Sequence, residues 1–259
     1  MSRLNLTGTA PKSSMKIFAD TSDIKEIAEL NANPLIEGFT TNPTLMKKAG
    51  VKNYEAFCKK VLKIVSNKPI SFEVFADDFD EMERQARKIA SWGENVYVKI
   101  PITNTKGESS IPLIEELTKV MQLNITAITQ KVQIASSLPK RISPHPKYFM
   151  MHIYEVPYLL SSLPMILSYF AGRVADTGTN PVLFINEIRS VARGMEILWA
   201  SSREVLNIYQ AKEAGADIIT CTPDLIRKYE KFKGMDLEEL SLLTVKQFYD
   251  DAKSCGFSL

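Results

Sequence analysis

Short apolar runs rich in β-branched and aromatic residues recur along the chain between longer segments of helical periodicity. The runs are MKIFAD (15–20), GFTTN (38–42), ISFEVFA (70–76), NVYVKIP (95–101), LNITAI (123–128), MILSYF (165–170), EILWAS (196–201) and ADIITCTP (216–223). Between them lie amphipathic stretches such as SDIKEIAELN, NYEAFCKKVLKIV, DDFDEMERQARKIASWG and SREVLNIYQAKEAG. The last ends in Gly215, placed as a helix stop before a strand resumes. Alternation of this kind is what βα units produce, and eight of them predict an α/β fold, a (β/α)8 TIM barrel. A doubly wound open sheet is the rival. It has no support from the first turn, which reads DTSD where a glycine-rich phosphate loop would stand.

Strand parity sharpens the expectation, because a barrel strand sends alternate side chains inward. In NVYVKIP the apolar Val96, Val98 and Ile100 suit the helix-facing side, which leaves Tyr97 and Lys99 pointing into the barrel. The same rule turns Glu73 inward with Phe72 and Val74 outward. It pairs Asp20 with Phe18, Asn124 with Thr126, and Ser168 with Phe170 on shared faces. Asp20, Asn42, Lys99, Thr126, Ser168 and Ser201 fall at or near the C-terminal ends of different strands, the catalytic face of such barrels. A desolvated lysine there can have its pKa brought from about 10.4 toward about 7 to 8, which makes Lys99 a candidate imine-forming nucleophile.

Composition narrows the class. At 259 residues, with 45% hydrophobic and 24% charged residues, the chain reads as an ordinary globular protein and is expected to form a single barrel domain over 15–259. A formal net charge of +2 gives no field that suggests nucleic acid or a membrane surface. Cys58, Cys221 and Cys255 are odd in number and show no CxxC spacing, as expected of reduced thiols in a cytoplasmic protein. Residues 1–14 lack the apolar middle of a secretory signal and carry a faint echo of a transit peptide; they read as a frayed extension. The pattern breaks once, where PKRISPHPKYFMMHIYEVPYLLSSLP separates the fifth and sixth strands. This proline-dense insertion, at about 139–163, holds both histidines, His145 and His152, whose spacing is weak support for a metal. Its Tyr148, Phe149, Met150, Met151, Tyr154 and Tyr158 need burial somewhere, a subunit contact being one option.

The residues then meet a known family. FADTSD, GFTTNPTL, EVFAD, VKIP, LNITAI, ILSYFAGR and WASSR, in this order from about Met15 to the C-terminus, resemble the transaldolases, in particular the compact bacterial branch that includes fructose 6-phosphate aldolase. TTNP together with VKIP at this spacing is the specific part. The resemblance implies a class I aldolase-like barrel in which Lys99 forms an imine with the C2 carbonyl of a ketose phosphate. It implies that Asp20 takes the proton whose loss breaks the C3 to C4 bond, and that Glu73 and Thr126 hold the relaying water. Asn42, Asn124 and Ser168 would grip the three-carbon unit, with Phe170 beside them, and Arg173, Ser201 and Arg203 would meet the phosphate. Neither a metal nor an organic cofactor is implied, because the iminium itself is the electron sink. Sugar phosphates are the expected partners, in a cytoplasmic homo-oligomer, a pentamer or decamer whose C-terminal helix LEELSLLTVKQFYDDAKSCGF reaches a neighbour. Glu73 and Phe170 stand where the aldolase branch tends to have Gln and Tyr, which favours transfer of a dihydroxyacetone unit within the pentose phosphate pathway.

Each residue also has a plainer reading. Asp20 could cap the first helix, as could Ser22 or Asp23. Thr41 and Asn42 before Pro43 read as a turn or helix start. Glu73 could form only a structural ion pair with Lys99, and Arg173 and Arg203 could be solvated surface residues. Two other functions therefore stay open: aldol cleavage or synthesis of fructose 6-phosphate type, and an inactive scaffold that binds sugar phosphate or protein.

Overall fold

A computed structural model describes residues 14–130, 163–192 and 194–258. The expectations for the N-terminal extension and for the insertion, with both histidines and the helix after the fifth strand, fall almost wholly outside these residues. Eight parallel strands close into a barrel in sequence order, as the alternation predicts. They are β1 (Lys16–Asp20), β2 (Ile36–Thr40), β3 (Ile70–Glu73), β4 (Val96–Pro101), β5 (Leu123–Ile128), β6 (Met165–Tyr169), β7 (Glu196–Trp199) and β8 (Ile218–Cys221). The second strand starts two residues earlier than its apolar run and stops at Thr40, so Thr41 and Asn42 lie beyond it. The seventh and eighth runs likewise lose their flanking residues to loops.

The helices outside the barrel follow the amphipathic stretches: α1 (Ile24–Asn31), α2 (Pro43–Lys48), α3 (Tyr54–Ile64), α4 (Phe79–Ala90) and α5 (Ile111–Leu117), then α6 (Ala171–Asp176), α7 (Val182–Val191), α8 (Leu206–Ala214), α9 (Pro223–Phe232) and α10 (Leu237–Ser254). Their starts are chemically marked. Asp23 caps α1 by accepting from the Lys25 and Glu26 amides, Asn53 caps α3, and Asp78 caps α4. Since Asp23 does this work, Asp20 is left out of the cap. Gly215 ends α8 in the left-handed conformation, φ 83°, where a side chain would be strained.

Two apolar layers hold the barrel. Between sheet and helices, the outward residues of each strand, among them Ile17, Phe39, Phe72, Val98, Leu123 and Trp199, pack on the buried faces of α1, α3 and α4 and their successors. Fully burying each such side chain contributes about 1.5 to 3 kcal/mol. A separate cluster, formed by Phe18, Tyr97, Ile166, Leu198, Ala200 and Ile218, occupies the barrel interior. Strand parity therefore runs as predicted, and the interior cluster packs beneath the polar residues that the same strands place toward their C-terminal ends. Among the described residues no helix is long and apolar enough to cross a membrane.

Candidate active site

The site is built from the C-terminal ends of the strands. Lys99 on β4 is buried, with 5% of its surface exposed. Its ammonium donates to the Thr41 carbonyl at 3.0 Å and pairs with Glu73 Oε2 at 3.1 Å. The pairing follows from register, because Glu73 and Lys99 are direct partners across β3 and β4. Outward Val98 and Ile100, both fully buried, fix the strand's face and turn Lys99 into the barrel. Lys99 therefore does not sit on a solvated strand face.

Asp20 closes the other side. Its carboxylate accepts from Thr40 Oγ1 at 2.8 Å. Burial pushes its pKa above the ordinary carboxylate value, opposed first by the charge of Lys99 and then by the Thr40 hydrogen bond, with a further hydrogen bond from Asn42. Asn42 caps α2, where its side-chain oxygen accepts from the Leu45 amide and Pro43 takes the first helical position. The cap and the contact with Asp20 use opposite ends of one amide, so the helix-start reading and the site reading of Asn42 both hold.

A third group spans β3, β5 and β6. Ser168 Oγ donates to Asn124 Oδ1 at 2.6 Å, and Asn124 Nδ2 donates to Ser71 Oγ at 3.0 Å. These bonds orient the Asn124 amide. Thr126, on the same inward face, is buried, and among the described residues its hydroxyl has no partner. A β-bulge between Ile125 and Ile128 carries Ala127 at φ 63° beside it, an irregularity of the sort that re-aims side chains near sites. An orphaned buried hydroxyl of this kind costs about 1 to 3 kcal/mol unless something meets it.

The rim is of a different kind. Phe170 follows β6, its amide donating to the Ile128 carbonyl at 2.8 Å, and its ring packs against the interior cluster. Arg173 and Arg203 are exposed, and Arg203 Nη2 donates to Asp176 Oδ2 at 2.7 Å. That contact first, and the charge of Arg173 in addition, hold the Asp176 carboxyl below its ordinary range. Both arginines therefore act on one carboxylate. Ser201 sits past β7 at φ 61°, and the loops meet so closely that a Cβ on Gly172 would lie 1.6 Å from the Ser201 carbonyl oxygen. Only glycine permits that approach.

The structure thus brings Asp20, Asn42, Glu73, Lys99, Asn124, Thr126 and Ser168 to one end of the barrel. It leaves Arg173 on the short α6 and Ser201 and Arg203 on the loop after β7, at the same end. Parity missed Thr40, Ser71 and Thr220, although Ser71 shares its face with Glu73 and could have been read from the same alternation. Thr40 and Thr220 carry no such signal, since hydroxyls on strands pass for ordinary β-formers. The Cys221 thiol beside them is pushed up to about 12 by burial and is no nucleophile. Among the described residues no cluster of His, Cys, Asp and Glu could hold a metal.

The Transaldolase/Fructose-6-phosphate aldolase family profile matches residues 17–259. A protein of Brucella melitensis biotype 1 named "Probable transaldolase" is 32% identical over 230 residues, covering 86% of this chain and 94% of its own length. A "Probable transaldolase" of Methanococcus maripaludis strain C5 is 32% identical over 218 residues, with 83% and 89% covered. Among solved structures, dihydrodipicolinate synthase of Thermotoga maritima superposes with a TM-score of 0.54 at 8% identity, covering 86% of this chain and 77% of that one. N-acetylneuraminate lyase of Mycoplasma synoviae gives a TM-score of 0.50 at 10% identity over 92% and 80%. These two share the fold. The family match and the sequence relatives go further, and with a buried lysine opposite two carboxylates at the barrel mouth the chain belongs to the transaldolase/fructose-6-phosphate aldolase family, enzymes of the aldolase and transaldolase type.

Proposed function

We propose that the protein is a transaldolase that transfers a dihydroxyacetone unit through an imine on Lys99. The donor is a ketose phosphate, sedoheptulose 7-phosphate or fructose 6-phosphate. The acceptor is an aldose phosphate, glyceraldehyde 3-phosphate or erythrose 4-phosphate, as in the pentose phosphate pathway. The observation that carries this reading is Lys99 itself, buried in the barrel with Glu73 at 3.1 Å and Asp20 in the same polar layer.

The chemistry follows from those groups. Lys99 gives a proton to Glu73 and attacks the C2 carbonyl of the donor as the amine, and water leaves as the imine forms. Glu73 supplies and recovers protons through a water that the unpartnered Thr126 hydroxyl holds. Asp20 accepts the proton of the C4 hydroxyl, the C3 to C4 bond breaks, and its electrons pass to the iminium nitrogen as the aldose phosphate departs. The enamine then attacks the carbonyl of the acceptor, Asp20 returns the proton, and water hydrolyses the new imine to release the product ketose and free Lys99. Asn124 and Ser168, pre-oriented by their mutual hydrogen bond, hold the hydroxyls of the bound unit. Arg173 and Arg203 bind the phosphate in place of Asp176, with Ser201 alongside.

Glu73 and Phe170 favour transfer over fructose 6-phosphate aldolase chemistry, as in the resemblance noted above. A second copy of the chain is the natural cover for α10, on which no residue is buried and Leu237, Val245, Phe248 and Tyr249 are exposed. The decisive experiment is incubation with fructose 6-phosphate and borohydride, followed by peptide mass spectrometry. An adduct on Lys99 that erythrose 4-phosphate discharges before borohydride supports the transferase. An adduct that discharges only to water selects the aldolase. No adduct on folded protein leaves the inactive scaffold.

A further inference from the structure

In this reaction Asp20 must be ionised in a buried setting that opposes its charge, and two hydroxyls stand behind it. Thr40 Oγ1 donates to Asp20 Oδ1 at 2.8 Å, and Thr220 Oγ1 lies 2.6 Å from Thr40 Oγ1. Thr40 ends β2 and Thr220 lies on β8, the two strands that flank β1. Both threonines are buried, at 3% and 4% exposure.

Each hydroxyl carries one proton, and an ionised Asp20 can only accept, so the ionised acid fixes the direction of the chain. With Asp20 ionised, Thr40 gives its proton to the carboxylate, and the 2.6 Å contact can be made only by donation from Thr220. The order is Thr220 to Thr40 to Asp20, and every proton has an acceptor. With Asp20 protonated on its other oxygen the order is kept but the bond from Thr40 loses its charge assistance, and with Asp20 protonated on Oδ1 and donating to Thr40 the order reverses. Thr220 then holds a buried proton for which the described residues offer no other side-chain partner. A stranded buried donor is costly, and hydroxyls in series polarise one another, so the chain favours the ionised acid.

We propose that Thr220, acting through Thr40, is a positioning residue that keeps the Asp20 carboxylate charged and turned toward the reacting hydroxyl. This rests on the reading of Asp20 as the proton acceptor. The other groups that face Asp20 are Lys99 from β4, Glu73 from β3, the Cys221 thiol from β8 and the neutral amide of Asn42. Thr220→Val leaves all of them in place and removes one hydroxyl.

The test is the pH profile of kcat/KM for transfer from fructose 6-phosphate to erythrose 4-phosphate in the native protein, Thr220→Val and Thr220→Ser, with borohydride trapping run in parallel. Loss of the hydroxyl weakens the stabilisation of the Asp20 anion. The acid limb should therefore move to higher pH, with about three- to tenfold less activity below it. The alkaline side stays in place, Thr220→Ser restores the native limb, and the Lys99 adduct forms in all three. Thr220→Ala carries the same expectation and replaces the valine variant if that fails to fold. An unmoved acid limb in a hydroxyl-less variant that still traps the adduct overturns the proposal while leaving the transaldolase reading intact. Absence of the adduct in the native protein overturns both.

Discussion

On the floor of the site, Lys99, Glu73, Asn124 and Thr40 each ride on a strand and each meet another side chain or a carbonyl within 3.1 Å. On the rim, Arg173 and Arg203 are solvent-exposed, and Ser201 sits in a left-handed conformation on a loop. The floor is positioned by sheet register and costs little to keep in order once the barrel has formed. The rim is positioned by chain turns and by a solvated ion pair with Asp176, which contributes little to stability. On the proposed mechanism, the groups that form and break bonds belong to the strand-borne part, and the groups that select the phosphate belong to the part that can adjust.

The largest effect should come from the floor. Lys99→Met removes the nucleophile and should lower transfer by about 10⁴-fold or more. It should also abolish the borohydride adduct, while circular dichroism shows the barrel retained. Glu73 keeps 18% of its side-chain surface exposed, so its orphaned charge has water to turn to. A Lys99→Met protein with full activity would remove the lysine from the mechanism.

Asp20→Asn comes next, with a loss in kcat of about 10² to 10⁴-fold and the imine still trapped. Its effect on stability has a defined sign. The folded-state pKa of Asp20 is raised above the ordinary value of 3.8, so between 3.8 and that raised value the native protein binds more protons than the unfolded chain. Stability therefore falls as pH rises through this window, and the cost persists above it. Asp20→Asn should raise Tm at neutral pH and lose that advantage below pH 3.8. An equal change in Tm at both pH values would mean that the substitution acts through packing and not through the buried charge.

The difference between floor and rim also explains what could be read from the chain. The inward turn of Lys99 and Glu73 followed from period-two alternation, since apolar neighbours such as Val98 and Phe72 had to face the helices. Asn124, Thr126 and Ser168 followed in the same way. Nothing in that pattern could show that Asp23 and not Asp20 caps α1, that Thr40 and Thr220 meet across β1, or that Arg203 reaches Asp176. Each depends on which strands or turns become neighbours when the barrel closes. For Arg173, Ser201 and Arg203 only resemblance to a family offered a role, because a six-residue helix and a loop lie beyond the period-two alternation that constrains the strands.

On the rim the expected losses are smaller and appear in KM. Arg173→Ala or Arg203→Ala should raise KM for fructose 6-phosphate by about ten- to a hundredfold, the worth of a charge-assisted hydrogen bond. Turnover with unphosphorylated fructose should be unchanged. Equal losses on both sugars would move the arginine from phosphate recognition to the structure of the loop.

The smallest effect concerns Ser201. A non-glycine residue at φ 61° is strained by about 1 to 2 kcal/mol, part of which Ser201→Gly would relieve at the expense of extra freedom in the unfolded chain. The net gain should be about 0.5 to 1 kcal/mol, or a rise in Tm of about 1 to 4 °C. Ser201→Ala keeps the strain and loses only the hydroxyl, so its Tm should stay near that of the native protein. If the hydroxyl meets the phosphate, both variants raise KM for fructose 6-phosphate alike. If instead the left-handed turn itself sets the rim by holding the Ser201 carbonyl against Gly172, only the glycine variant does so. The pair separates what this loop contributes by chemistry from what it contributes by shape, a distinction that the strand-borne floor does not require.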